Sequence, residues 1–286
     1  AALGIGVVIL SLIIAFWLGR RVARPIRALA VAADAVREMR LDPPPTLARS
    51  RLIEIDYAAR AFNTMTDGLR WFELYVPRAL VRLLLGGDDS QTAVASAIRD
   101  VTVLFTDIRG FTALAETMSA NETATFLNTH FSLLAASVEA EDGTIDKYIG
   151  DSLMAFWGAP AATVDHAVRA CSAALSVREA LGAANRQRIA AGLAPIRIGI
   201  GIDSGDALVG NIGAPGRVNY TLVGDVVNTA QRNGDLCKEL QYPEDDVTIL
   251  IGEEVARQLD ARFRVESCGI QKMRGRDATM EVFRLV

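Results

Sequence analysis

The chain has 286 residues, 51% of them hydrophobic, and a mean hydropathy of +0.24, which is more apolar than a purely soluble protein and too long for one typical domain. A net charge of −4 and a pI near 5.4 exclude the basic footprint of a nucleic-acid partner. Cys171, Cys237 and Cys268 lack C-x-x-C spacing, which excludes a disulfide framework or metal cluster and fits a reducing compartment; His130 and His166 have no partner at ligand spacing and read as structural.

The apolar excess lies at the start. Residues 1–19 carry no charge and are just long enough to cross a bilayer as a helix, with Trp17 at interfacial depth. Arg20, Arg21, Arg24 and Arg27 follow at once, which places the C-terminal side in the cytoplasm by the positive-inside rule. A signal peptide would have its charges before the apolar run instead. Because the chain begins with Ala, the expectation is a longer protein whose extracytoplasmic sensor precedes this segment.

Ile26, Leu29, Ala33 and Val36 then step at a/d spacing, and Ile55, Ala59, Phe62, Met65, Leu69 and Phe72 form a second seam. Between them Pro43-Pro44-Pro45 removes amide donors and predicts an extended connector. Two short seamed helices cannot bury their seams alone, which predicts a parallel dimeric four-helix bundle. With Arg24-Pro25-Ile26 opening the first helix and Glu54-Ile55 and Ala61-Phe62-Asn63-Thr64-Met65 in the second, residues 18–71 resemble a HAMP domain. The seam continues through Val76, Leu80 and Leu83 with a stutter, and Gly86-Gly87-Asp88-Asp89-Ser90 reads as a linker.

From about residue 99 strands and helices alternate. Val101 to Phe105 is a β-branched and apolar run that ends at Asp107 and is followed by Gly110; Lys147-Tyr148-Ile149 runs into Gly150-Asp151 and then a second apolar strand, which predicts a hairpin. Two carboxylates at strand ends beside glycines suit a magnesium-nucleotide site. Helices are predicted over 119–140, 164–191 and 225–240. Strands are predicted over 195–202, 207–211, 220–223, 247–251, 263–268 and 282–285, making an α+β domain with helices on one face of a mainly antiparallel sheet.

The motifs Thr106-Asp107-Ile108-Arg109-Gly110-Phe111-Thr112, Lys147, Gly150-Asp151, Thr221 and Val223 to Arg232 resemble, in order, those of a class III nucleotidyl cyclase over residues 99–286. That resemblance implies a ferredoxin-like catalytic domain and a head-to-tail homodimer whose sites are shared. One subunit would supply Asp107, Ile108 and Asp151 for two Mg2+ ions, with Mn2+ as a substitute. The other would supply Lys147 and Thr221 to read the purine, and Asn228 and Arg232 to stabilise the transition state. Ile108, Gly110, Phe111 and Arg217 are the implied phosphate contacts. Lysine donates to an adenine ring nitrogen and threonine accepts from the exocyclic amine, whereas guanylyl cyclases of the family usually place Glu and Cys there, so the implied substrate is ATP. The threonine variant resembles a subgroup often stimulated by bicarbonate. The whole reads as a transmembrane helix (1–19), a HAMP domain (20–71), a coiled transducer and linker (72–98) and a catalytic domain (99–286) at the inner or plasma membrane. The alternatives are a guanylyl cyclase and a catalytically silent cyclase-like nucleotide sensor.

Overall fold

In the computed structural model the described residues are 2–38, 43–73, 80, 96–214, 216–240, 242, 244–272 and 279–286. They belong to two compact units, Ala1–Gln91 and Thr92–Val286. The stutter through Val76 and Leu83 and the linker at Gly86 to Ser90 lie outside the described residues.

In the first unit, α1 (Ala2–Arg37) is a single helix that joins the apolar run to the first seam. Pro25 lies inside it and opens no new helix, contrary to the sequence expectation; proline removes one backbone donor but holds a φ close to the helical value. Among the described residues one helix is long and apolar enough to cross a membrane, over Gly4–Arg37, with Ile5 to Leu18 exposed. Arg20 and Arg21 stack on Phe16 and Trp17 at 4.9 and 4.2 Å, which shields two charges where the apolar stretch ends. Ahead of α2 (Ile53–Glu73), residues 43–52 have no regular secondary structure and are pinned from the side. The Asn63 carboxamide accepts from the Leu47 amide at 2.9 Å and donates to the Leu47 carbonyl at 3.0 Å, closing both backbone groups. Ala32, Ala59 and Phe62 are buried, while the seam residues Ile26 and Met65 stay exposed.

The second unit is an eight-stranded mixed sheet. Its strands are β1 (Ala97–Ile108), β2 (Thr144–Ile149), β3 (Ser152–Trp157), β4 (Ile198–Ala214), β5 (Arg217–Val223), β6 (Val247–Gly252), β7 (Val265–Lys272) and β8 (Thr279–Leu285). The order is β2-β3-β1-β4-β6-β8-β7, with β5 paired to β4; among the described residues only the β4–β6 pairing is parallel. The expected strands 195–202 and 207–211 are one long strand, β4, whose far half leaves β1 and pairs with β5 as a two-stranded arm.

The helices are α3 (Phe111–Ala115), α4 (Ala120–Ala140), α5 (His166–Ala190), α6 (Asp225–Leu236) and α7 (Glu253–Gln258). Ser119 and Glu122 form a reciprocal capping box at the start of α4. Helices α4 and α5 cover one face over a core that includes Leu104, Leu134, Trp157, Ile198, Ile200, Ile202 and Ile249. The expectation of helices on one face is corrected by α6, which lies on the other: Leu236 and Cys237 pack on Leu250, whose neighbours Ile249 and Ile251 face the first core.

Residues 198–202, Ile-Gly-Ile-Gly-Ile, explain how β4 serves two layers. The isoleucines enter the core, while a Cβ on Gly201 would stand 2.1 Å from the Gly234 amide and 2.2 Å from the Ala230 carbonyl of α6. The two glycines therefore let the α6 backbone rest directly on the strand. Asn233 completes the seating by donating to the Ile202 carbonyl at 3.0 Å.

Candidate active site

Asp107 sits one residue before the end of β1, and Asp151 in the turn between β2 and β3, where Gly150 takes a positive φ of 62°. The β1–β3 pairing brings them together. The Ile108 amide donates to Asp151 Oδ2 at 3.1 Å and the Ser152 hydroxyl to Asp107 Oδ1 at 3.3 Å. Burial pushes the Asp151 carboxyl above its usual range, and the negative charge of Asp107 adds to this. Such a pair calls for a cation. Lys238, just beyond α6, supplies one with Nζ 2.9 Å from Asp107 Oδ2 and 3.1 Å from Asp235 Oδ1. Partial burial opposes its charge, yet these two carboxylates hold its pKa above the ordinary lysine value.

No cluster of three or more His, Cys, Asp or Glu side chains suited to a metal occurs among the described residues. The donor set is thus two carboxylates, which fits hard divalent cations that draw their remaining oxygens from a polyphosphate and water. The Ile108 amide is already taken by Asp151, and Arg217 is exposed at the outer end of the β4–β5 arm, with no ion pair among the described residues. Gly110 precedes α3 with φ 70°.

A second cluster lies where the β4–β5 arm folds over β2 and β3. The Tyr220 ring lies 6.5 Å from that of Phe156, and Lys147 Nζ donates to Thr221 Oγ1 at 3.2 Å. The two residues predicted to read the purine therefore touch within one subunit. Between them sits Asp146, which the sequence did not single out: its carboxylate accepts from the Thr221 hydroxyl at 2.5 Å and lies 3.5 Å from Lys147 Nζ. Neighbours in a strand normally face opposite ways, but the register with β3 slips between Ile145 and Lys147, and this bulge turns Asp146 and Lys147 to one site. Burial raises the Asp146 carboxyl pKa, against the Thr221 hydrogen bond and the Lys147 charge.

Asn228 and Arg232 stand four apart on α6, opposite the buried Val226, Thr229, Ala230 and Asn233. Asn228 is exposed and Arg232 half-buried, and neither has a hydrogen-bond or ion-pair partner among the described residues. The residues sequence reasoning missed are Asp146 and Lys238. A strand bulge hides the first, and for the second only a lysine six residues past Arg232 was visible.

Residues 93–286 match the family described as Adenylate and Guanylate cyclase catalytic domain, and residues 17–71 match the HAMP domain family. Adenylate cyclase 1 of Rhizobium meliloti (strain 1021) is 33% identical over 281 residues, 98% of this chain and 41% of that protein. Adenylate cyclase of Anabaena cylindrica is 30% identical over 297 residues, 96% of this chain and 56% of that protein. The chain spans about half the length of these curated relatives. Among solved structures, the adenylyl cyclase CyaB from P. aeruginosa superposes with a TM-score of 0.61 at 30% identity, over 67% of this chain and 96% of that one. The guanylyl cyclase Cya2 gives 0.59 at 29% identity, over 66% and 93%. Motifs, fold and whole-domain similarity agree: the chain belongs to the class III adenylate and guanylate cyclase family, with a HAMP domain ahead of its catalytic domain.

Proposed function

We propose that this chain is the membrane-anchored, signal-transducing portion of an adenylate cyclase, which converts ATP to 3′,5′-cyclic AMP and pyrophosphate at sites shared between two copies. The observation that carries the choice of base is the meeting of Lys147 and Thr221, a donor and an acceptor at hydrogen-bonding distance from each other. An adenine edge offers the complementary acceptor and donor, and a guanine edge offers the reverse.

Asp107 and Asp151, with the Ile108 backbone, would hold two divalent ions, which lower the pKa of the ribose 3′-hydroxyl and neutralise the triphosphate when bound. Burial and the charge of Asp107 hold the Asp151 carboxyl above its ordinary range even with Lys238 beside the pair, so the two carboxylates suit further positive charge. Arg232 would meet the α-phosphate and stabilise the charge that develops as the 3′-oxygen displaces pyrophosphate in line. Asn228 orients the ribose so that the attack is geometrically ready. Backbone amides at Gly110 and Phe111, with Arg217, bind the terminal phosphates. The side chains of Asn228 and Arg232, unpartnered among the described residues, support a site completed by a second copy. So do the exposed seam residues Ile26 and Met65 of a HAMP segment that needs a partner. Residues 1–19 then anchor the dimer in the plasma membrane, 20–71 and 72–98 carry a signal, and 99–286 work in the cytoplasm.

Incubating the purified chain separately with ATP and with GTP, with Mg2+ or Mn2+, tests this. Cyclic AMP from ATP, well above cyclic GMP from GTP, is expected. Preferential cyclic GMP formation would overturn the base assignment, and no product from either nucleotide would overturn the cyclase activity and favour the silent alternative.

A further inference from the structure

Threonine is an ambiguous reader. Its hydroxyl carries one proton and two lone pairs, so a free Thr221 could accept from the adenine amine or donate to the guanine carbonyl oxygen with equal ease. In this protein the rotor is not free. The Thr221 proton points at the Asp146 carboxylate, 2.5 Å away, and one Thr221 lone pair receives Lys147 Nζ at 3.2 Å. The Asp146 side chain is only 1% exposed and held by the bulge in β2, so no water competes for the bond. An ionised carboxylate only accepts, which commits the threonine proton and leaves Thr221 a single outward capacity, to accept. Lys147 is steadied by the same carboxylate at 3.5 Å and by Thr221, with its remaining protons directed elsewhere.

We infer that Asp146 is a positioning residue for base selectivity, which turns the Thr221 hydroxyl into an obligate acceptor and so makes a threonine read adenine as a carboxylate would. The inference rests on the adenylate cyclase reading above and adds a third residue to its base-recognition pair. Its chemistry is that of a donor-locked hydroxyl: the substrate class it selects carries an exocyclic amine beside a ring acceptor. A nucleotide with a carbonyl at that position finds no donor in Thr221 and leaves a buried acceptor facing an acceptor.

Binding of 3′-deoxy-ATP and 3′-deoxy-GTP to the full chain with Mn2+ tests this separately from turnover, because both lack the attacking hydroxyl. Asp146→Asn offers Thr221 an amide donor, which frees the threonine proton to point outward. It is expected to lower the ATP-to-GTP affinity ratio at least about tenfold, and in a Thr221→Val background to leave that ratio unchanged. Asp146→Ser, smaller and also able to donate, gives the same fall if Asp146→Asn does not fold. A ratio within about twofold of wild type in whichever variant folds, or an equal fall in the Thr221→Val background, would overturn the inference. A wild type that binds 3′-deoxy-ATP selectively but forms no cyclic AMP from ATP overturns the activity and leaves the role of Asp146 standing.

Discussion

Lys238 shows how a single side chain bears on the Asp107–Asp151 pair. Its ammonium lies 2.9 Å from Asp107, in the place where a divalent cation would offset the same negative charge. The Lys238 side chain is 48% exposed and that of Asp107 23%, so the pair is worth on the order of 0.2–1 kcal/mol, or roughly 1.4-fold to fivefold in an affinity. Lys238→Gln should therefore tighten Mn2+ binding by about that factor, read by calorimetry without nucleotide. Unchanged or weaker Mn2+ binding would show that the lysine does not compete for Asp107. At this scale Asp107 and Asp151 were legible as carboxylates at strand ends, whereas Lys147 and Thr221 were singled out only through the motif resemblance; the structure brings the members of each pair together. Asp146 was not legible, because alternation in a strand predicts that it faces away from Lys147, and only the bulge reverses this.

The candidate site draws on β1, the β2–β3 hairpin, β5 and α6, and the seating of α6 explains several sequence features. Helix α6 can approach β4 only because Gly199 and Gly201 leave no side chain between them. Gly201→Val would drive its branched side chain into the backbone of residues 230–234 and lift α6 from the sheet. We expect a loss of about 1–3 kcal/mol in stability. Because Arg232 rides on that helix, kcat should fall at least about tenfold even where the variant stays folded. Chemical denaturation with kinetics on the folded fraction measures both; wild-type kcat in a folded variant would show that the position of α6 is not critical. The sequence revealed the alternation of isoleucine and glycine but not its meaning. Period-two patterning says that one face is apolar, and does not say that the other carries a helix backbone. The same limit divided β4 into two predicted strands, since Asp203, Ser204 and Asp206 interrupt the apolar run in a strand that continues through them.

At the scale of the whole molecule, the order of segments was readable because each has a distinct physical signature. An uncharged run, an a/d seam and alternating strands do not imitate one another. Their continuity was less readable: Pro25 suggested a boundary that the helix passes through. On the proposed reading one copy holds the parts of a site without assembling it: a carboxylate pair, the Lys147–Thr221 cluster, and Asn228 and Arg232, which lack partners among the described residues. In a head-to-tail dimer with twofold symmetry, a defect in the carboxylates of one copy and a defect in the α6 pair of the other fall in the same site, leaving the second site intact. Asp107→Ala and Arg232→Ala chains, each inactive alone, should therefore recover cyclic AMP synthesis when mixed and allowed to exchange subunits. Random pairing predicts about a quarter of the wild-type rate per chain. A mixture no more active than its separate components would contradict the shared site.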